Sequence, residues 1–153
     1  NSMFFKDFLI DILHLKEIYP YADNLSSINI HYARKGEELG WHFDNSSFAI
    51  TLMIKPSSEG GIFQYTEKIR IDGSDKEKEF QKVSDILNND TPVNSISMIA
   101  GGLLLFNGKN SMHRVTKVIG DDIRILAVLA YNQEKGISLS KSAQKTFYGK
   151  VAK

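Results

Sequence analysis

Gly40-Trp41-His42-Phe43-Asp44-Asn45-Ser46-Ser47-Phe48-Ala49-Ile50-Thr51-Leu52 decides how this chain is read. Its first part sets an imidazole and a carboxylate two residues apart, so at a strand end both project to one side. Its second part, continued through Met53 and Ile54, is rich in β-formers and predicts a strand over Ser47–Ile54. Far downstream lies a second candidate ligand, His113. On a neighbouring strand it would complete a three-cornered face with His42 and Asp44 around one metal ion. A bare His-x-Asp with a remote histidine arises often by chance, so the surrounding chain has to carry the reading.

Composition narrows the classes. At 153 residues the chain fits a single domain, 1–153, long enough to bury a core. Apolar residues at 42% and charged residues at 24% match a globular protein and exclude wholesale disorder. A net charge of +1, with Arg34, Arg70, Arg114 and Arg124 scattered, argues against nucleic acid as a main partner. There is no cysteine, which removes disulfides, thiolate zinc sites and cysteine nucleophiles together. Any metal must be held by His, Asp or Glu. No apolar run approaches the roughly 18 residues of a membrane helix, and no signal-like segment opens the chain. The expectation is a cytoplasmic protein without a membrane partner. Asn1-Ser2-Met3 reads as a remnant before a start or a truncation point.

Outward from the motif, periodicity supplies the elements. Residues 4–18 predict a helix, with Phe5, Phe8, Leu9, Ile12 and Leu15 as the buried stripe and Tyr19-Pro20 as its end. His14 lies beside that stripe and reads as structural or solvated. From Ile28 the period becomes two, which predicts a strand through Ile30 and Tyr32. Pro56–Gly61 breaks the Ser47–Ile54 strand, and Ile62–Thr66 returns as its expected hairpin partner. Residues 74–88 predict a second helix, with Ser74 as N-cap, Glu77 three residues on and Asn88-Asn89-Asp90 closing it. Strands are expected at Val93–Ile99, Gly102–Phe106, Met112–Ile119 and Ile123–Tyr131, and a short helix around Ser140–Phe147. The run from Gly102 to Gly108-Lys109-Asn110 misses the phosphate-loop pattern in spacing and in its last residue. Short strands at regular spacing with few helices point to a mainly β, antiparallel double-sheet barrel of jelly-roll type.

In such a barrel His42 and Asp44 end one strand and His113 begins another. Two histidines and one carboxylate, with the opposite positions open, form the facial triad of non-haem Fe(II) chemistry. Arg124 alternates with Leu126 and Val128, so its guanidinium would face inward from an apolar strand. A hairpin turning at Gly120–Asp122 would set it opposite Val118, roughly 16 Å along the sheet from His113. A buried arginine requires an anion. Alone, it would be given an ion pair with Asp121, Asp122 or Glu134; beside the triad, a ligand carboxylate is the better partner.

These residues resemble the signature of Fe(II)/2-oxoglutarate-dependent dioxygenases. Four stretches are similar, more narrowly, to the BesD/HalD-type amino-acid hydroxylase and halogenase family: Gly40 through Leu52, Gly60-Gly-Ile-Phe-Gln-Tyr, Gly102 through Thr116, and Phe147-Tyr-Gly-Lys. They occur in the family's order and span nearly the whole chain. The resemblance implies a double-stranded β-helix (cupin-like) fold and three cofactors: Fe(II), 2-oxoglutarate and O2. It also implies iron ligation by His42, Asp44 and His113 and capture of the 2-oxoglutarate distal carboxylate by Arg124. In halogenating members a small residue replaces the carboxylate ligand and admits chloride. Asp44 occupies that position here, which implies hydroxylation. Family members usually carry a longer N-terminal portion, so this chain reads as a truncated or minimal form.

The expected reaction hydroxylates a free amino acid or similar small molecule and releases succinate and CO2. His31 and Tyr32 are candidates for a 2-oxoglutarate contact, and Trp41, Asn45, Gln64 and Arg114 for the substrate or the ligands' support. Phe43, Phe48, Leu105 and Phe106 are candidate apolar walls. Each of these has an ordinary structural reading beside it. Two rival functions remain: a prolyl-hydroxylase-type enzyme acting on a protein side chain, and a cupin-like module that binds a metal or small acid without oxidation.

Overall fold

The computed structural model describes residues 3–152, so the reading of Asn1 and Ser2 as a remnant lies outside it. In chain order the elements are α1 (Met3–Leu13), β1 (Tyr19–Pro20), β2 (Ile28–Ala33), β3 (Leu39–His42), β4 (Phe48–Lys55) and β5 (Phe63–Lys68). There follow α2 (Lys76–Leu87), β6 (Asn94–Ile96), β7 (Leu103–Phe106), β8 (Ser111–Val115), β9 (Arg124–Asn132) and α3 (Lys141–Tyr148). Among the described residues no helix is long and apolar enough to cross a membrane.

Two antiparallel sheets face each other in the expected double-stranded β-helix. β9 runs through the middle of the larger sheet, pairing with β1 and β2 along one edge and with β4 along the other; β7 lies beyond β4. The smaller sheet has the order β3-β8-β5-β6. Alternation sorts the side chains. Ala49, Thr51, Arg124, Leu126 and Val128 project into the space between the sheets. Phe48, Ile50, Leu129 and Tyr131 take the opposite face and pack with Leu9, Phe5, Ile10 and Leu13 of α1.

Two predicted hairpins are absent. β4 and β5 belong to different sheets, so Pro56–Gly61 is a crossover rather than a turn. β8 and β9 are likewise split: Val118 bridges to Gly60, and Arg124 pairs with Ala33 instead of with Val118. A Gly- or Pro-rich break ends a strand but carries no information on whether the chain folds back or changes sheet.

The helices shift in detail. The 4–18 helix ends at Leu13, because His14 adopts a left-handed conformation (φ 51°). Leu15 N–H then donates to Ile10 O (3.0 Å) and His14 N–H to Asp11 O (3.3 Å), the two bonds of a Schellman cap. Tyr19-Pro20 becomes an edge strand, where a proline removes no needed donor. The buried stripe is also rotated from the one expected: Phe8 and Ile12 are 41% and 52% exposed, because the helix has two overlapping apolar faces. The 74–88 helix begins at Lys76 with Asp75 as its cap, whose carboxylate accepts from Glu77 N–H. α2 lays Val83 and Ile86 against the outer face of the smaller sheet. α3 starts from Ser140, as expected, and stops at Gly149 in the left-handed conformation.

One buried carboxylate ties the chain's ends together. Asp23 accepts from Leu25 N–H (3.0 Å), Ser26 N–H (2.9 Å), the Ser26 hydroxyl and Leu139 N–H (3.0 Å). Burial alone would raise its pKa; the hydrogen bonds outweigh burial and hold it below the ordinary value. A carboxylate depressed in the folded state stabilises above its unfolded pKa, and that stability is lost as pH falls through the folded pKa. Asp23→Ala should therefore lose about 2–4 kcal/mol at neutral pH. The gap from wild type should narrow as pH drops below about 4; denaturant titrations at several pH values measure it.

Candidate metal centre

His42 ends β3 and stands directly opposite His113 on β8, with the two rings 4.1 Å apart between centroids. Asp44, two residues beyond His42, is anchored by its N–H donating to Gly108 O (2.9 Å). One ligand atom from each of the three lies within 4.8 Å of the others. Asp44 Oδ1 is 3.8 Å from His42 Nε2 and 3.6 Å from His113 Nε2. Sequence had placed His113 at a strand start; it sits mid-strand, which makes its position firmer.

The backbone selects the tautomers. His42 Nδ1 lies 2.8 Å from Gly40 O, and His113 Nδ1 lies 3.1 Å from Ser111 O. A carbonyl only accepts, so both Nδ1 atoms carry hydrogen and both Nε2 atoms are left to face Asp44. Desolvation, then the proximity of His113, lowers the His42 pKa, against the Gly40 hydrogen bond and Asp44. Neutral imidazole is the form that ligates. Phe106 and Phe63 pack on the His113 ring at 4.8 and 5.6 Å. Asp44 Oδ2 is buried without a hydrogen-bond partner. Two free Nε2 atoms, a converging carboxylate and that unspent oxygen fit a divalent cation.

The trio opens on a cavity of about 510 Å³ that Arg124 also lines, a size suited to small molecules. Arg124 is 4% exposed, its Nε has no partner, and desolvation lowers its pKa. The ion pairs open to it from sequence do not form among the described residues. Asp121 pairs with Lys35 (2.8 Å), and Asp122 accepts from Ser58 N–H and Oγ. Gly61 makes room for the arginine, since a Cβ there would meet Arg124 Cδ at 2.8 Å. Pairing with Leu126 puts His31 on the cavity-facing phase of β2. Desolvation and then Arg124 lower its pKa, with Asp44 opposing. Tyr32 touches the cavity rim but pairs with Ile125 and is 64% exposed.

The other candidates divide by strand phase. Trp41, Gln64 and Arg114 do meet, on the outer face of the smaller sheet and away from the cavity. Arg114 stacks 4.8 Å over the Trp41 ring and donates from Nε to Gln64 Oε1 (2.7 Å). Trp41 and Phe43 pack on Ile69, Ile86 and Met112 beneath α2, and Asn45 is exposed outside the cavity lining. Of the four proposed walls only Phe106 lines the cavity; Phe48 and Leu105 belong to the core under α1. Sequence reading missed Thr51, whose hydroxyl is buried, unpartnered and on the cavity wall. Its signal was one hydroxyl in an otherwise apolar strand, on the inward phase.

The family model described as halogenase D matches residues 2–148. A 2OG-Fe(II) oxygenase family oxidoreductase from Burkholderia pseudomallei is 16% identical, with a TM-score of 0.64 over 90% of this chain and 54% of that one. AviO1 from Streptomyces viridochromogenes Tue57 is 10% identical, with a TM-score of 0.62 over 92% of this chain and 61% of that one. At these identities the two structures show the fold, and the chain spans between 54% and 61% of their lengths. No curated protein sequence matches. Oxygenases with this fold and a His-Asp-His group use Fe(II), 2-oxoglutarate and O2.

An unpaired buried guanidinium destabilises the ligand-free fold. Arg124→Met, which keeps an unbranched side chain and removes the charge, should raise the melting temperature without added ligand, by about 1–4 kcal/mol in stability. A fall on thermal denaturation would mean that the fold itself satisfies the arginine.

Proposed function

The chain belongs to the halogenase D family, and from that premise we propose an Fe(II)- and 2-oxoglutarate-dependent dioxygenase that hydroxylates a free amino acid or similar small molecule. Residues 1–153 act as one catalytic unit. The observation that carries the reading is the meeting, in one cavity, of a His-Asp-His ligand set and a buried arginine without an anion.

His42 Nε2, His113 Nε2 and Asp44 hold the iron. Arg124 takes the distal carboxylate of 2-oxoglutarate, whose planar pair of oxygens suits its fork. His31 is better placed than Tyr32 to touch the same co-substrate. Bound iron supplies O2 activation coupled to decarboxylation of 2-oxoglutarate. The atoms balance: one oxygen of O2 enters the substrate C–H bond and the other enters succinate, with CO2 released. Leu104, Phe106 and Val128 line the chamber with apolar surface, which excludes water from the reacting bond. The Asp44 carboxylate supports hydroxylation over halogenation, because it fills the position a halide would need.

Purified protein with Fe(II), 2-oxoglutarate and O2 should release succinate, and a screen of free amino acids should give a product one oxygen heavier. Asp44→Gly should weaken iron binding and abolish that product. Unchanged turnover in this variant would sink the ligand assignment, and a chlorinated product from the wild type would sink hydroxylation.

A further inference from the structure

We propose that Gly108 is a positioning residue that steers the Asp44 carboxylate by lacking a side chain. The inference rests on the reading of Asp44 as a metal ligand. Gly108 is buried in the turn between β7 and β8, and its carbonyl accepts the Asp44 N–H at 2.9 Å. A Cβ on Gly108 would fall 2.5 Å from Asp44 Cγ and 2.9 Å from Asp44 Cβ, and closer still to Oδ2. That oxygen is the buried one without a hydrogen-bond partner.

The backbone does not demand glycine here. Gly108 is not among the residues with positive φ, so alanine would be accommodated by the chain itself. The three atoms nearest to an added methyl all belong to the Asp44 side chain. No hydrogen bond holds Oδ2, so the empty volume at Gly108 determines its placement. The same turn leads into Ser111, whose carbonyl orients His113. One short segment therefore positions two of the three ligand groups, Asp44 through shape and His113 through a hydrogen bond.

Four proteins test this: wild type, Gly108→Ala, Asp44→Gly and the double variant, each titrated with Mn(II) and each melted without metal. Gly108→Ala should weaken Mn(II) binding about 10- to 100-fold, the range for groups that orient metal ligands. Its metal-free melting temperature should also fall below that of wild type. In the Asp44→Gly background the melting effect of Gly108→Ala should vanish, because the group it collides with is gone. Wild-type Mn(II) affinity in Gly108→Ala overturns the proposal. So does an equal loss of melting temperature in both backgrounds, which marks a packing role independent of Asp44. If the wild type takes up no Mn(II), the metal-ligand reading fails instead, and the melting comparison still decides whether Gly108 and Asp44 are coupled.

Discussion

The register that sets His42 opposite His113 is the constraint on which the site depends. Strand side chains alternate, so a slip of one residue in β3 would turn His42 to the outer face, away from His113, and bring Trp41 inward. The irregularity between Leu39 and His42 in the β3–β8 pairing places the correct residue opposite His113. On the far side of the sheet, Trp41 and Phe43 are held by Ile69, Ile86 and Met112 under α2. A helix that carries no chemistry thus secures the His-Asp-His group, through apolar contacts to the residues that flank it.

Within the cavity, charge is left unbalanced. Arg124 and Asp44 line the same space without forming an ion pair, and each retains a buried atom with no partner. Folding alone disfavours both. Local rules broken where ligands bind, with consistency elsewhere, is the pattern expected of a working site. Gly61 and Gly108 follow the same logic, since each withholds a side chain where a functional group needs the volume.

The chemistry was more legible in the sequence than the path of the chain. The spacing of His42 and Asp44 and Arg124's phase on an apolar strand reflect local periodicity, which survives without knowledge of the fold, whereas remote His113 was tied to them by the family resemblance. The short helix expected around Ser140–Phe147 was legible too, and it forms as Lys141–Tyr148 behind the Ser140 cap. The sheet changes at Pro56–Gly61 and Gly120–Asp122 were illegible, since turn residues look alike in a hairpin and in a crossover. Trp41, Gln64 and Arg114 were drawn toward the cavity by proximity in sequence, although adjacent strand positions face opposite ways. Gly108 and Thr51 emerged only from packing: one is defined by a volume and the other by the absence of a partner.

Those two crossovers also bear on how the protein holds together. The His-Asp-His group lies at the β3–β8 edge of one sheet, while Arg124, Thr51 and Val128 line the wall contributed by the other. A molecule bridging the two walls is a clasp across the sandwich rather than a plug in a surface hollow. It favours the closed arrangement of both sheets together, so its binding energy adds to the cooperative stability of the fold and not to that of one loop. The crossover at Pro56–Gly61 carries Gly61 against Arg124 and so links the two walls beside that residue.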